Sequence, residues 1–393
     1  MDTMVIGGGL AGLVAANLLA DAGARVTLRE RGSLGGRARS ATRDGVTRNL
    51  GAHALYRKGD AIRVLAGFGI APTGATPRGP NGYAVGGEVV TLPGGIVDLV
   101  RSPILEGCRW AFGRWIGGLA APSAGDTVAD WLDRQALTPA GRQLAEAVVR
   151  VATYTHAPDR LCAVAVAEQL SKVSAGVLYV DGGWQVVVDA LEARARAHGV
   201  RIETHAGVEQ VRPGAGGVDV DGTRVDAVVA AVPPRTLARL MGQAPPETCT
   251  TAAACLDLVV DAVDERAFVL GGDVPFYLSD HSRWARLAPE GRHVVHALAY
   301  LAPGERGDRD ALEAWLDQVW PAWRRATVDA RWAPRMVVAE AIPTPEGRPG
   351  LAVAPGVVGC GDSWGDRGML ADAACASAED AVRRLIEARR RVA

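Results

Sequence analysis

The stretch Thr3–Arg31, TMVIGGGLAGLVAANLLADAGARVTLRER, leaves little freedom in how this chain can begin to fold. Met4–Ile6 is a short apolar strand. Gly7-x-Gly9-x-x-Gly12 follows and opens a run of apolar and small residues, Leu10 to Ala22, which suits a helix packed on a sheet. Gly23 stops that helix, and Arg25–Arg29 is the next strand. Two strands joined by a helix run parallel, so the chain commits to an α/β fold. Each glycine has a physical task. Gly7 permits the tight turn, Gly9 lets backbone approach a pyrophosphate, and Gly12 lets helix and strand pack closely. The helix N-terminus offers free N–H groups and the positive end of its dipole to phosphate. Glu30, 18 residues beyond Gly12, ends the second strand where a carboxylate accepts both ribose hydroxyls and repels a 2′-phosphate. The pattern predicts a bound dinucleotide lacking that phosphate.

A second glycine turn comes at once, Ser33-Leu34-Gly35-Gly36-Arg37-Ala38-Arg39. Gly35 and Gly36 again allow close backbone approach, and Arg37 offers phosphate a planar fork that lysine cannot imitate. Far downstream, residues 356–382 (GVVGCGDSWGDRGMLADAACASAEDAV) repeat the theme, with an apolar run, the pair Gly361-Asp362, a glycine-rich loop and an alanine-rich helix.

These residues resemble the flavin amine oxidase and phytoene desaturase superfamily, nearest to its bacterial phytoene-dehydrogenase-like branch. In that superfamily GxGxxG, a ribose Glu and a GGR turn occur in this order. The interval from Glu30 to Gly35 is one residue shorter than usual, and Ala373 and Ala378 stand where many relatives carry glycine. The resemblance implies FAD, lying extended so that the first turn holds its adenine-side pyrophosphate and the C-terminal turn its ribityl chain and flavin ring. It places Asp362 on ribityl or pyrophosphate oxygens, and it aims the helix beginning at Met369 and Leu370 toward the flavin's pyrimidine edge. Asn49-Leu50-Gly51-Ala52-His53 resembles a turn lying against the flavin. Gly182-Gly183-Trp184, the helix Gln185–His198 and the strands Arg201–Thr204 and Val208–Val211 resemble the module that returns to the cofactor, with Val208 beside the adenine.

The implied architecture is a Rossmann-like FAD-binding domain of the GR2 type (residues 1–60, 178–242 and 345–393). It is interleaved with a mixed α+β substrate domain (61–177 and 243–344). The substrate domain carries no motif. His53 is the first active-site candidate: it orients substrate or moves a proton, or else makes a structural hydrogen bond within its turn. Trp332, in DARWAP, stands where relatives approach the flavin, or else in the core. Trp364 lines the flavin pocket or caps its loop. Arg101 to Trp115 mixes basic and aromatic residues and reads as an amphipathic helix, with peripheral membrane contact the competing reading.

Two function classes are disfavoured by composition. A formal net charge of −1 over 393 residues argues against nucleic acid. No cysteine pair has metal-ligand spacing, and the six cysteines read as free thiols of a cytoplasmic protein without a secretory leader. The expected reaction is hydride removal from a largely apolar small molecule in a C–C dehydrogenation, with O2 or a quinone or other carrier as final acceptor. Amine oxidation is the alternative. It is disfavoured because many amine oxidases of the superfamily place a lysine near the flavin late in the substrate domain, and no lysine follows Lys172. A non-catalytic binding protein of related fold is the third reading. A homodimer is the default assembly.

Overall fold

The computed structural model describes residues 1–92, 100–266 and 268–390. The opening unit forms as its glycines require: strand Asp2–Ile6, helix Leu10–Asp21 and strand Arg25–Arg29, the strands parallel from Asp2↔Arg25 to Ile6↔Arg29. The helix is buried almost all round because it lies between the sheet and two other helices, Gln185–Ala197 and Leu370–Arg390. Its polar Asn17 is tolerated there because it is fully bonded. Nδ2 donates to the Leu13 and Leu191 carbonyls, and Oδ1 accepts from Arg194.

Six strands make this sheet, in the order Arg201–Glu203, Arg25–Arg29, Asp2–Ile6, Ala227–Ala230, Val357–Gly359, Ala352–Ala354. All neighbours are parallel except the last pair. Strands from both ends and the middle of the chain therefore share one layer, and their carboxyl ends gather the Gly7, Glu30 and Gly361 turns at one edge.

A second sheet has seven strands in the order Thr327–Ala339, Thr251–Val260, His293–Leu301, Phe276–Asp280, Phe268–Gly271, Asn81–Val85, Glu88–Leu92. It is antiparallel except where Phe268–Gly271 meets Asn81–Val85. The period of two gives Thr251–Val260, the strand next to the Thr327–Ala339 edge, two different faces. Leu256, Leu258 and Val260 pack under Trp315, Trp320 and Trp323 on the outer face. Ala253 and Cys255 join Tyr277 and Tyr300 on the inner face, beneath the helices of residues 109–173. The architecture is α/β, with a Rossmann-like cofactor sheet and a separate mixed sheet.

Two local expectations are revised. Residues 206–210 are not a strand, and the ladder begins at Val211. The Asp221 carboxylate takes the Glu209 and Gln210 N–H groups, and Arg29 bonds both Asp221 and the Gly207 carbonyl, so these backbone groups are spent before a ladder can use them. Of the basic-aromatic stretch, only Arg109–Ile116 is α-helical; Phe112 and Trp115 are buried, while Trp110 is 78% exposed.

Candidate cofactor and active site

The glycines of the first turn are sterically obligatory. Gly7 has φ +102°, and a Cβ there would meet the Ala231 carbonyl. A Cβ on Gly12 would run into the Gly7 carbonyl oxygen. Gly9 differs, because no atom stands within 4 Å of where its Cβ would be. That open position leaves room for a ligand to approach the backbone.

The second glycine turn docks onto the first. Gly35 N–H donates to the Gly8 carbonyl at 2.7 Å, Gly9 and Gly35 form an isolated parallel bridge, and a Cβ on Gly36 would lie 3.3 Å from the Gly9 Cα. Glu30 braces both turns, its oxygens accepting from Gly8 N–H and Gly32 N–H at 2.7 Å each. A carboxylate has about four lone-pair sites, so this bracing leaves capacity for a diol.

Arg37 crosses to the other end of the chain. Its Nη2 donates to Asp362 Oδ1 at 2.6 Å, and its Nη1 to the Val338 carbonyl. The N-terminal and C-terminal turns thus meet as one site. Gly361 has φ +134° and is tied to the final helix by Ser377, whose hydroxyl accepts from Gly361 N–H at 2.8 Å and donates to its carbonyl at 2.9 Å. Met369 is buried, and Leu370 opens the helix at φ +55°, a left-handed conformation that is costly for leucine.

Arg348 carried no sequence signal, yet it organises this loop. Buried, it donates to the carbonyls of Asp362, Gly365, Arg367 and Gly368. A lone arginine after Pro-Glu-Gly looks like surface until the loop folds around it. Lys172 was equally silent. Its Nζ reaches Asp372 Oδ2 at 3.2 Å, in the first turn of the final helix, and Asp372 also accepts from Ala61 N–H. Burial raises the Asp372 pKa despite these two partners.

The other candidates separate. Gly51 adopts φ +82° opposite Met336, and His53 follows it, with Nδ1 3.0 Å from the Gly51 carbonyl and its ring edge-on to Trp184 at 5.2 Å. Burial lowers the His53 pKa, so the imidazole is neutral at pH 7. Val208 is half-buried in the non-strand segment. Trp332 pairs with Leu256 and packs against Gly307, on the sheet face opposite Cys255. Trp364 lies against Gly359 and donates Nε1–H to the Val232 carbonyl at 2.8 Å, which locks the loop to the cofactor sheet. Of the three side chains proposed for catalysis, only His53 sits at the junction of the cofactor turns and the inner face.

Known proteins share this fold. A family model described as NAD(P)-binding Rossmann-like domain matches residues 5–67, and one described as flavin containing amine oxidoreductase matches residues 163–385. A coproporphyrinogen III oxidase of Mycobacterium tuberculosis is 30% identical over 375 residues, covering 82% of this chain and 81% of its own. A carotenoid phi-ring synthase of Streptomyces griseus is 31% identical over 290 residues, covering 61% of this chain and 54% of its own. In fold, an oxidoreductase from Methanosarcina mazei superposes with a TM-score of 0.79 at 19% identity, over 98% of this chain and 100% of that one. Cyclohexylamine oxidase from Brevibacterium oxydans superposes with a TM-score of 0.72 at 17% identity, over 98% and 99%.

Proposed function

The chain belongs to the flavin-containing amine oxidoreductase family and is an FAD-dependent oxidoreductase, and from that premise we propose that it dehydrogenates a reduced, ring-bearing substrate of the porphyrinogen class rather than an amine. FAD supplies the oxidising power by accepting two electrons with a hydrogen from carbon. The chain's own residues fit that cofactor. The open position at Gly9 beside Gly36 admits a pyrophosphate, Glu30 receives the ribose, and Arg37 with Asp362 holds the far end. The N-terminus of the helix opening at Leu370 would favour negative charge on a flavin held there.

One observation carries the choice of substrate. Neither lysine of the chain reaches the inner face of the second sheet, because Lys172 is bonded to Asp372 and Lys58 is exposed. That face instead presents Tyr277 and Tyr300, with Tyr154 packed on Tyr300 from the end of helix Pro139–Thr153, ring centroids being 5.8 Å (154–300) and 6.4 Å (277–300) apart, backed by Leu298 and Cys255. Aromatic side chains suit contact with an apolar ring system, whose placement over the cofactor and shielding from water are what hydride removal requires. The identity to a coproporphyrinogen III oxidase across four-fifths of both chains favours the same class.

The test is anaerobic mixing of the FAD-loaded protein with coproporphyrinogen III, and separately with cyclohexylamine, while flavin absorbance and porphyrin fluorescence are followed. The porphyrinogen should bleach the flavin and yield fluorescent product, and the amine should do neither. Bleaching by the amine alone would overturn the assignment in favour of amine oxidation. The rate at which oxygenated buffer then restores colour distinguishes O2 from a quinone or other carrier as acceptor.

A further inference from the structure

Behind His53, between the cofactor turn and the second sheet, lies a polar cluster that cofactor binding does not use. Asp257 is fully buried on strand Thr251–Val260. Its Oδ1 accepts from His296 Nδ1 at 2.6 Å and from Cys255 Sγ at 2.9 Å, and its Oδ2 accepts from Arg331 Nη2 at 2.6 Å and Nε at 3.2 Å. Arg331 also reaches the Asn49 carbonyl at 3.4 Å, at the start of the turn that carries Gly51 and His53. His296 is fully buried, and with Nδ1 committed to Asp257 its Nε2 has no partner. His281 packs edge-on against His296 at 4.7 Å, stacks on Tyr179 at 3.9 Å, and also leaves Nε2 unpartnered.

A buried charged cluster is poor value as stabilisation, since packed apolar side chains serve as well. A buried imidazole lone pair without a donor adds a further cost. The arrangement is nonetheless the one that prepares a base. The carboxylate fixes the Nδ1–H tautomer and stabilises the imidazolium that forms when Nε2 takes a proton. A metal ion fits the same atoms less well, because the Arg331 guanidinium already occupies the carboxylate and the buried Cys255 is held as the thiol.

We propose that His53 and the His296–Asp257 pair together form the proton acceptor of the oxidation, with Asp257 as its positioning residue. In the step, a substrate C–H bond gives its hydrogen and both electrons to the oxidant FAD. An N–H bond of the ring that carries this carbon gives its proton to the His53 imidazole, with the unpartnered Nε2 of His296 as the second acceptor of the cluster, and the electron pair freed on nitrogen enters the ring as a new C=C bond forms at the carbon. The groups facing His296 are Asp257 and Cys255 on strand Thr251–Val260, Arg331 on the edge strand, His281 after strand Phe276–Asp280, and His53 on the cofactor turn. Burial lowers the pKa of His53, and lowers that of His281 strongly, so both enter as neutral bases.

The substrate named in the step rests on the dehydrogenase reading, whereas the proton acceptor is testable without any substrate. FAD-loaded wild type and His296→Asn are photoreduced across a pH series and their flavin midpoint potentials recorded; Asn keeps an N–H toward Asp257 but cannot take the proton. Wild type should take up one more proton per two electrons than the variant. Equal slopes overturn the proposal. If the variant does not fold, 15N-histidine spectra of wild type before and after photoreduction decide the matter. His53 or His296, among the seven histidines, should change protonation, and none changing overturns the proposal. Failure of coproporphyrinogen III to bleach the flavin would remove the substrate reading and leave these readouts intact.

Discussion

Asp257 shows how a single residue can be tuned by its neighbours. Burial alone would raise its pKa, but the His296, Cys255 and Arg331 donors outweigh it and hold the carboxyl at about 2. A carboxyl depressed on folding contributes stability above its unfolded value of about 3.9, and that stability is lost as pH falls toward the folded value. Between about pH 5 and about pH 3, wild type should therefore lose about 1 kcal/mol more stability than Asp257→Asn in urea unfolding. Parallel losses in the two proteins would mean that the donors are not engaged. Nothing in the run TAAACLDLVV announces this site, because an aspartate among apolar residues reads as a strand end until His296, 39 residues later, pairs beside it. Glu30 is the opposite case. Its place at the end of the second strand, beside the glycine turns, was legible because strand, turn and acid are local, and the structure adds that it braces the Gly8 and Gly32 amides.

At the scale of elements, the final helix explains why alanine replaces the glycines of relatives. Ala373, Ala376, Ala378 and Ala381 are fully buried, and the helix packs directly on Leu10–Asp21. Small side chains give that close approach, and alanine provides it without glycine's cost in helix propensity. Ala378→Leu should overpack the contact and lower the stability of the FAD-free protein by about 1–3 kcal/mol, read by chemical unfolding. It should also weaken FAD binding, since Gly361 hangs from the same helix through Ser377. A variant as stable as wild type would show that the helices are not in tight contact.

For the molecule as a whole, the fold joins what the chain leaves far apart. Gly7, Glu30 and Arg37 come from the start, Asp362 and Leu370 from the end, and the Arg37–Asp362 pair spans 325 residues of sequence. The ligand should thus report on the entire fold. Free FAD at about 100 times its dissociation constant should add about 2.7 kcal/mol to stability. Glu30→Arg, which loses both amide bonds and the ribose acceptor, should retain little flavin and unfold at one temperature with or without added FAD. A variant that still gained stability from FAD would show that the first turn is dispensable. Among the described residues no helix is long and apolar enough to cross a membrane.

The division between what the sequence determined and what the tertiary structure decided follows the range of the physics. The βαβ unit, the two glycine turns, Glu30, Gly361 and the final helix depend on steric and hydrogen-bonding demands that act within a few residues, so composition and spacing reveal them. Val208 and its neighbours were misread as a strand because a distant carboxylate, Asp221, competes for their amides. Trp332 faces away from Cys255 because register, and register alone, decides which side of a strand a residue takes. Arg348, Lys172, Asp257 and His296 acquire their roles only when chain segments close over them. Burial then turns ordinary polar side chains into groups that must be partnered, and which partners they find is a property of the fold.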